Sequence, residues 1–188
     1  MKVGIIGYEG SGKTTMSGAE PAELLRQKQQ IREVRVPDKR IDALSAMYQP
    51  KKTIYATIQF VDVMSGAAIG KGLDGSILGK IREVDLLAVV VRGFSNGYDE
   101  ADPKREAQAM LSELLLSDME IVERKVARMQ KEKVSDQEKA LFRKLQTELE
   151  NEKWLKDMGL DKSELELLRG YQFMTLKPVI IVVNVDES

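Results

Sequence analysis

The run Gly7-Tyr8-Glu9-Gly10-Ser11-Gly12-Lys13-Thr14 constrains this chain more than any other feature, because it follows the short apolar run at residues 3–6 directly. It fits GxxxxGK[ST] at every fixed position. A strand that ends on such a loop, with a helix behind it, makes a phosphate cradle. Its glycines let successive backbone N–H groups turn inward, and the helix N-terminus adds partial positive charge. The pattern makes Gly7, Glu9, Gly10, Ser11, Gly12, Lys13, Thr14 and Thr15 candidate nucleotide-binding residues. Lys13 is the candidate catalytic group, a point charge reaching the β- and γ-phosphates, and the Thr14 hydroxyl is a candidate Mg²⁺ ligand.

The rest of the chain alternates strand and helix signals, which predicts an α/β, doubly wound, mainly parallel sheet. Residues 54–61 form an apolar, β-branched run that ends on Asp62, the place for a second Mg²⁺ ligand. Residues 86–91 and 179–183 are nearly continuous apolar runs, as in parallel strands covered on both faces. Residues 31–36 give a weaker strand signal. Asp38 is an expected N-cap for a helix carrying Ile41, Leu44, Met47 and Tyr48 on one stripe. The glycines at 66, 70, 72, 75 and 79 make a segment able to respond to a γ-phosphate. Asn184-Val185-Asp186-Glu187 follows the last strand, where guanine-specific P-loop proteins place Asn-Lys-x-Asp, so Asn184, Val185 and Glu187 are candidate base-side residues.

A different pattern occupies residues 102–157. Asp102-Pro103 reads as a cap and first-turn proline, followed by Leu111, Leu115, Val122, Val126 and Met129 at helical spacing. Ser135 and Glu138 form a capping-box signature before Leu141, Leu145, Leu149 and Leu155. These stripes predict an inserted antiparallel helical hairpin, a coiled coil, between two nucleotide-domain segments at 1–101 and 158–188. Asp161 with Glu164 opens a last helix. Between Arg124 and Lys144 the charge is strongly basic, and a helix from 103 to 133 would hold that tip on the order of 45 Å from its base. Arg128, Lys131, Arg143 and Lys144 are therefore candidate RNA contacts.

The chain of 188 residues contains no Cys and no His, which excludes thiol nucleophiles, Ser-His-Asp chemistry, disulfides and the usual zinc sites. Its net charge of −1 and pI of about 5.8 give no general attraction to nucleic acid or anionic lipid, so any such attraction is local. The N-terminal Met-Lys-Val runs straight into a strand pattern and no long apolar span follows, which points to a cytoplasmic protein without a membrane partner.

In this order the segments resemble the Obg-like ATPase (YchF) family of translation-factor-related P-loop NTPases. Besides the loop, the likeness rests on Val36-Pro37-Asp38-Lys39-Arg40-Ile41-Asp42, Gln49-Pro50-Lys51-Lys52-Thr53, Ala56-Thr57-Ile58-Gln59-Phe60-Val61-Asp62 and Ile81-Arg82-Glu83-Val84-Asp85. It continues through Arg92-Gly93-Phe94, Asp102-Pro103, Glu113-Leu114 to Asp118, Lys177-Pro178-Val179 and Asn184-Val185-Asp186-Glu187. The resemblance implies an inserted coiled coil, Mg²⁺-dependent hydrolysis of ATP or GTP with relaxed base choice, and association with ribosomes. It also implies nucleotide-domain elements and a TGS domain beyond Ser188. The chain departs from the family in three places. The stretch from Thr15 to Val36 is shorter and interrupted by Gly18 and Pro21, no threonine lies between Thr15 and Thr53, and Asp62 is followed by Val63-Met64-Ser65-Gly66 where the family shows Asp-x-x-Gly. Two readings follow: a slow NTPase acting by positioning and electrostatics, or a nucleotide-gated, hydrolysis-deficient ribosome- or RNA-binding module. A small-molecule kinase sharing the loop accounts for neither the hairpin nor residues 184–187.

Overall fold

The computed structural model describes residues 1–13, 31–63, 69–70, 72–95 and 100–186. Thr14, Thr15, Gly66 and Glu187, and the departures at 15–30 and 64–66, lie outside the described residues.

Among the described residues five strands form one sheet: β1 (Lys2–Ile6), β2 (Ile31–Arg35), β3 (Thr57–Asp62), β4 (Leu86–Arg92) and β5 (Val179–Asn184). Their order is β2-β3-β1-β4-β5, all parallel except β2, which runs antiparallel to β3. The register sets Ile5 beside Asp62, Ile6 beside Val89 and Arg92 beside Asn184. Gly7, Asp62, Gly93 and Asn184 thus gather at the carboxyl ends of neighbouring strands, where open α/β sheets bind ligands. In β4, Leu87 through Val91 are at most 2% exposed, so its continuous apolar run reflects cover on both faces. The similar run in β5 behaves differently. Ile180, Ile181 and Val183 are 50%, 41% and 47% exposed, because β5 is the edge of the described sheet.

Helix α1 (Lys39–Tyr48) starts where expected, with Asp38 accepting from the Arg40 amide. Its apolar stripe is nevertheless not a buried face: Leu44, Met47 and Tyr48 are exposed. Helix α2 (Gly75–Arg82) packs Ile81, together with the following Val84, under the sheet.

Helix α3 (Pro103–Met129) and helix α4 (Asp136–Glu150) pack against one another in opposite directions, Lys125 near the far end of α3 reaching Glu138 at the start of α4 at 2.9 Å. Ser135 caps α4 through the Glu138 amide, but the Glu138 carboxylate crosses to Lys125 rather than closing a reciprocal box. The stripe Leu115, Val122 and Met129 meets Leu141, Leu145 and Leu149, a seam consistent with the helical spacing. A second stripe, Met110 and Leu114, faces the sheet and joins Val89, Val91 and Ile6. So α3 is shared between two apolar clusters, and Trp154 touches both.

The return to the sheet runs through α5 (Lys162–Leu168) and short 3-10 turns. Asp161 and Glu164 form a complete capping box at the start of α5. Leu168, Tyr171 and Phe173 lie on the hairpin, Tyr171 meeting Phe142 edge-on at 5.1 Å and stacking on Phe173 at 5.5 Å. The hairpin is therefore supported from the side as far as Lys125, and α3 stops at Met129, about 40 Å from its start.

Candidate nucleotide site

Residue identity is most constrained where the loop leaves β1. A Cβ on Gly7 would stand 2.3 Å from the Val90 carbonyl, so the first turn of the loop admits no side chain. At Gly12 φ is +84°, and a Cβ would meet the Asn184 amide nitrogen at 2.0 Å. That close approach lets the Asn184 side chain donate to the Ser11 carbonyl at 3.2 Å. The sheet edge expected to read the base is thereby locked to the loop expected to hold the phosphates. The Gly93 amide donates to the Asn184 carbonyl at 2.7 Å and fixes the same corner.

Lys13 lies almost wholly inside the loop, 7% exposed, with Nζ donating to the Tyr8 carbonyl at 2.6 Å. Burial pulls its pKa below the ordinary lysine value, while Asp62, Glu9 and Glu106 work in the opposite sense. A phosphate entering the loop therefore meets a cation that burial has already stripped of water. Ser11 is 1% exposed and its Oγ has no partner among the described residues. A buried hydroxyl of that kind is ready to donate to a ligand oxygen.

Asp62 stands at the end of β3, beside Ile5 and close enough to Lys13 to favour its charge. This position fits a carboxylate holding Mg²⁺ directly or through water. Among the described residues no cluster of three metal-binding side chains surrounds it. Val185 is 64% exposed and Asp186 is exposed, so on this side the described site is open.

The geometry adds groups that the motif did not single out. The Arg92 amide donates to Glu106 at 2.9 Å, fastening the first turn of α3 to the end of β4. The Tyr8 phenol donates to Glu113 on α3 at 3.0 Å. Farther from the loop, fully buried Asp118 accepts from Arg82 at 2.9 Å and from the amide and hydroxyl of Thr175 at 2.8 and 2.9 Å. Arg82 also donates to the Ser117 hydroxyl, and Lys177 donates to the Arg82 and Val84 carbonyls, so the end of α2 is clamped to α3 and to the return segment. Sequence could have flagged Glu113 and Asp118 as acids on an otherwise apolar stretch, but not their partners.

Of the RNA-contact candidates, Arg128, Lys131 and Arg143 are exposed near the hairpin turn, while Lys144 lies 3.9 Å from Glu164 of α5. A cleft of about 320 Å³ beside the turn is lined by Ile121, Arg124, Lys125, Arg128, Glu132 and Tyr171. No described helix is long and apolar enough to cross a membrane.

No protein-family model matches the chain. Over its whole length it is 34% identical to the Ribosome-binding ATPase YchF of Haemophilus ducreyi and 31% identical to that of Bacillus subtilis, and it spans 57% of the length of each. The solved structure of the YchF GTPase of Schizosaccharomyces pombe matches all of the chain at a TM-score of 0.83 and 27% identity, again over 57% of its own length. The H. ducreyi alignment covers 208 positions against 188 residues, so that relative carries segments this chain lacks.

Proposed function

The chain belongs to the YchF family, and from that premise we propose that it binds ATP or GTP with Mg²⁺ at residues 7–15, hydrolyses it slowly, and works in association with ribosomes. The observation that carries this reading is Lys13, buried at the centre of a loop whose Gly12 is closed on by Asn184. Mg²⁺, held by Asp62 and Thr14, would offset charge between the β- and γ-phosphates. Lys13 and the loop amides stabilise charge on the phosphates, and Asn184 with Val185 and Glu187 faces the base. Residues 1–101 with 158–188 are proposed to form the nucleotide-binding domain and residues 102–157 the inserted hairpin. The two apolar clusters cross these bounds in both directions, with Met110 and Leu114 of α3 on the sheet side and Leu168 and Phe173 on the hairpin side. A cytoplasmic setting belongs to the same proposal, as does contact between the hairpin tip and ribosomal RNA.

A second reading, nucleotide binding without hydrolysis, is favoured by the absence of glutamine between residues 66 and 69, of any histidine, and of a threonine between Thr15 and Thr53. The experiment is isothermal titration with ATP, GTP and ADP on the wild type and Lys13→Ala, followed by phosphate release. ATP is expected to bind at least as well as GTP, since Val185 stands where guanine readers place lysine, and Lys13→Ala is expected to lose most triphosphate affinity while remaining folded. A roughly hundredfold GTP preference, worth about 2.7 kcal/mol, contradicts relaxed base choice. Unchanged affinity in the variant removes the loop assignment. Phosphate release separates the two readings.

A further inference from the structure

Tyr8 occupies a variable position of the loop, yet it is held at both of its ends. Its carbonyl accepts from Lys13 Nζ at 2.6 Å, and its phenol donates at 3.0 Å to Glu113 Oε1, 105 residues farther along the chain. The side chain is 4% exposed and lies in the same apolar cluster as Met110 and Leu114, the α3 residues flanking Glu113 on that face. Burial first, then Glu113, pushes the phenol well above the ordinary tyrosine range, so Tyr8 is a neutral donor at any working pH. The acceptor is half satisfied: Glu113 Oε2 is sealed from solvent and has no partner among the described residues. An acid in that condition depends on the one bond it makes, because an unmatched buried oxygen is costly.

We propose that Glu113 is a positioning residue of the phosphate loop, acting through Tyr8 on Lys13, so that nucleotide occupancy and the state of the hairpin helix are coupled. The inference rests on the triphosphate-binding reading above. A triphosphate and the Tyr8 carbonyl share the three donors of Lys13, so binding alters the hold on the residue whose side chain grips α3. The connection consists of two hydrogen bonds meeting in a single residue, a contiguous physical link between loop and helix. Coupling of this kind is reciprocal: whatever fixes α3 changes nucleotide affinity by the factor with which nucleotide changes the hold on α3.

The test uses the full chain, a non-hydrolysable ATP analogue, and amide hydrogen exchange across residues 106–122 with and without saturating analogue. In the wild type, the analogue is expected to change exchange in this stretch by about tenfold. Tyr8→Phe keeps the ring in the core and removes the donor. It is expected to bind the analogue about tenfold more weakly and to lose the exchange response even at saturation. Glu113→Ala should behave like Tyr8→Phe and serves in its place if that variant does not fold, whereas Glu113→Gln, which keeps an acceptor oxygen, should restore most of the response. A wild type that does not bind the analogue overturns the triphosphate reading and the coupling with it. Binding with no exchange change at 106–122, or a wild-type exchange response in Tyr8→Phe or Glu113→Ala, overturns the coupling while leaving the triphosphate reading intact.

Discussion

At its base, α3 buries acids: Glu106 is 8% exposed against Arg92, Glu113 turns one oxygen to Tyr8, and Asp118 is fully enclosed by Arg82 and Thr175. Near the hairpin turn, the same helix and its neighbours set Arg124, Arg128, Lys131 and Arg143 in solvent. Glu106 in the first turn and Arg128 in the last turn both suit the helix macrodipole. What separates the two ends is how each charge is stabilised. At the base, each carboxylate accepts from at least one built-in donor, and removing it leaves an uncompensated group in a largely dry site. At the turn water does that work, and a charge can change without structural consequence. The base should therefore report on stability and on the nucleotide loop, and the turn on binding partners.

The strongest way to break this contrast is Asp118→Ala. It leaves the Arg82 side chain, only 14% exposed and bonded also to Ser117 and the Gln172 carbonyl, without its counter-ion. Losing one partner of a buried ion pair costs about 3–5 kcal/mol. Denaturant unfolding of the full chain measures this directly, and a loss under about 1 kcal/mol would make the base no different from an exposed pair.

A second, smaller effect concerns Lys13, the buried cation at the loop. Burial lowers its pKa from the ordinary 10.5, and a bound phosphate favours the charged form. Binding then takes up a proton once the pH passes the lowered value, so triphosphate affinity falls as pH rises. The limiting slope is about tenfold per pH unit, and it sets in before an ordinary lysine would titrate. Titration calorimetry in buffers of different ionisation enthalpy should register the proton uptake. Affinity that holds steady up to the ordinary lysine range would mean that Lys13 is not desolvated as its burial indicates.

Local chemistry was legible in the sequence. The phosphate loop is eight consecutive residues, and Asp38, Asp102, Ser135 and Asp161 all act as N-caps because a cap needs only its own first turn. The hairpin seam followed from spacing except at Leu111, which joins neither apolar cluster. The sheet-facing stripe of α3 did not, since Met110 and Leu114 are read as core only once β4 is known to lie beneath them. Nor did the Tyr8–Glu113 and Arg82–Asp118 contacts, whose partners are 105 and 36 residues apart. The stripe on α1 and the run in β5 show the converse: apolar periodicity marks a face able to be covered, and cover depends on a second element. Asp62 ends the strand beside β1 and Asn184 donates to the Ser11 carbonyl, while the parts assigned to Asp62, Asn184, Thr14, Thr15 and Glu187 stay proposals.

The smallest expected effect on stability, and the sharpest on partners, comes from reversing Arg128, Lys131, Arg143 and Lys144 to glutamate. All four residues are exposed, and Lys144, its side chain 48% exposed, makes only a 3.9 Å pair with Glu164. Surface substitutions of this kind shift stability by about 0.5 kcal/mol or less each. ATP affinity should also hold, because the turn is about 40 Å along α3 from its base and charges are screened beyond a Debye length of about 8 Å. Ribosome co-sedimentation should fall. In the wild type it should weaken steeply with salt, since each phosphate neutralised by a basic side chain releases counterions that concentrated salt makes harder to release. The variant should show a shallower salt dependence as those contacts go. If the reversed hairpin sediments with ribosomes as the wild type does, the turn is not the main contact, and the basic charge there is a solvated surface.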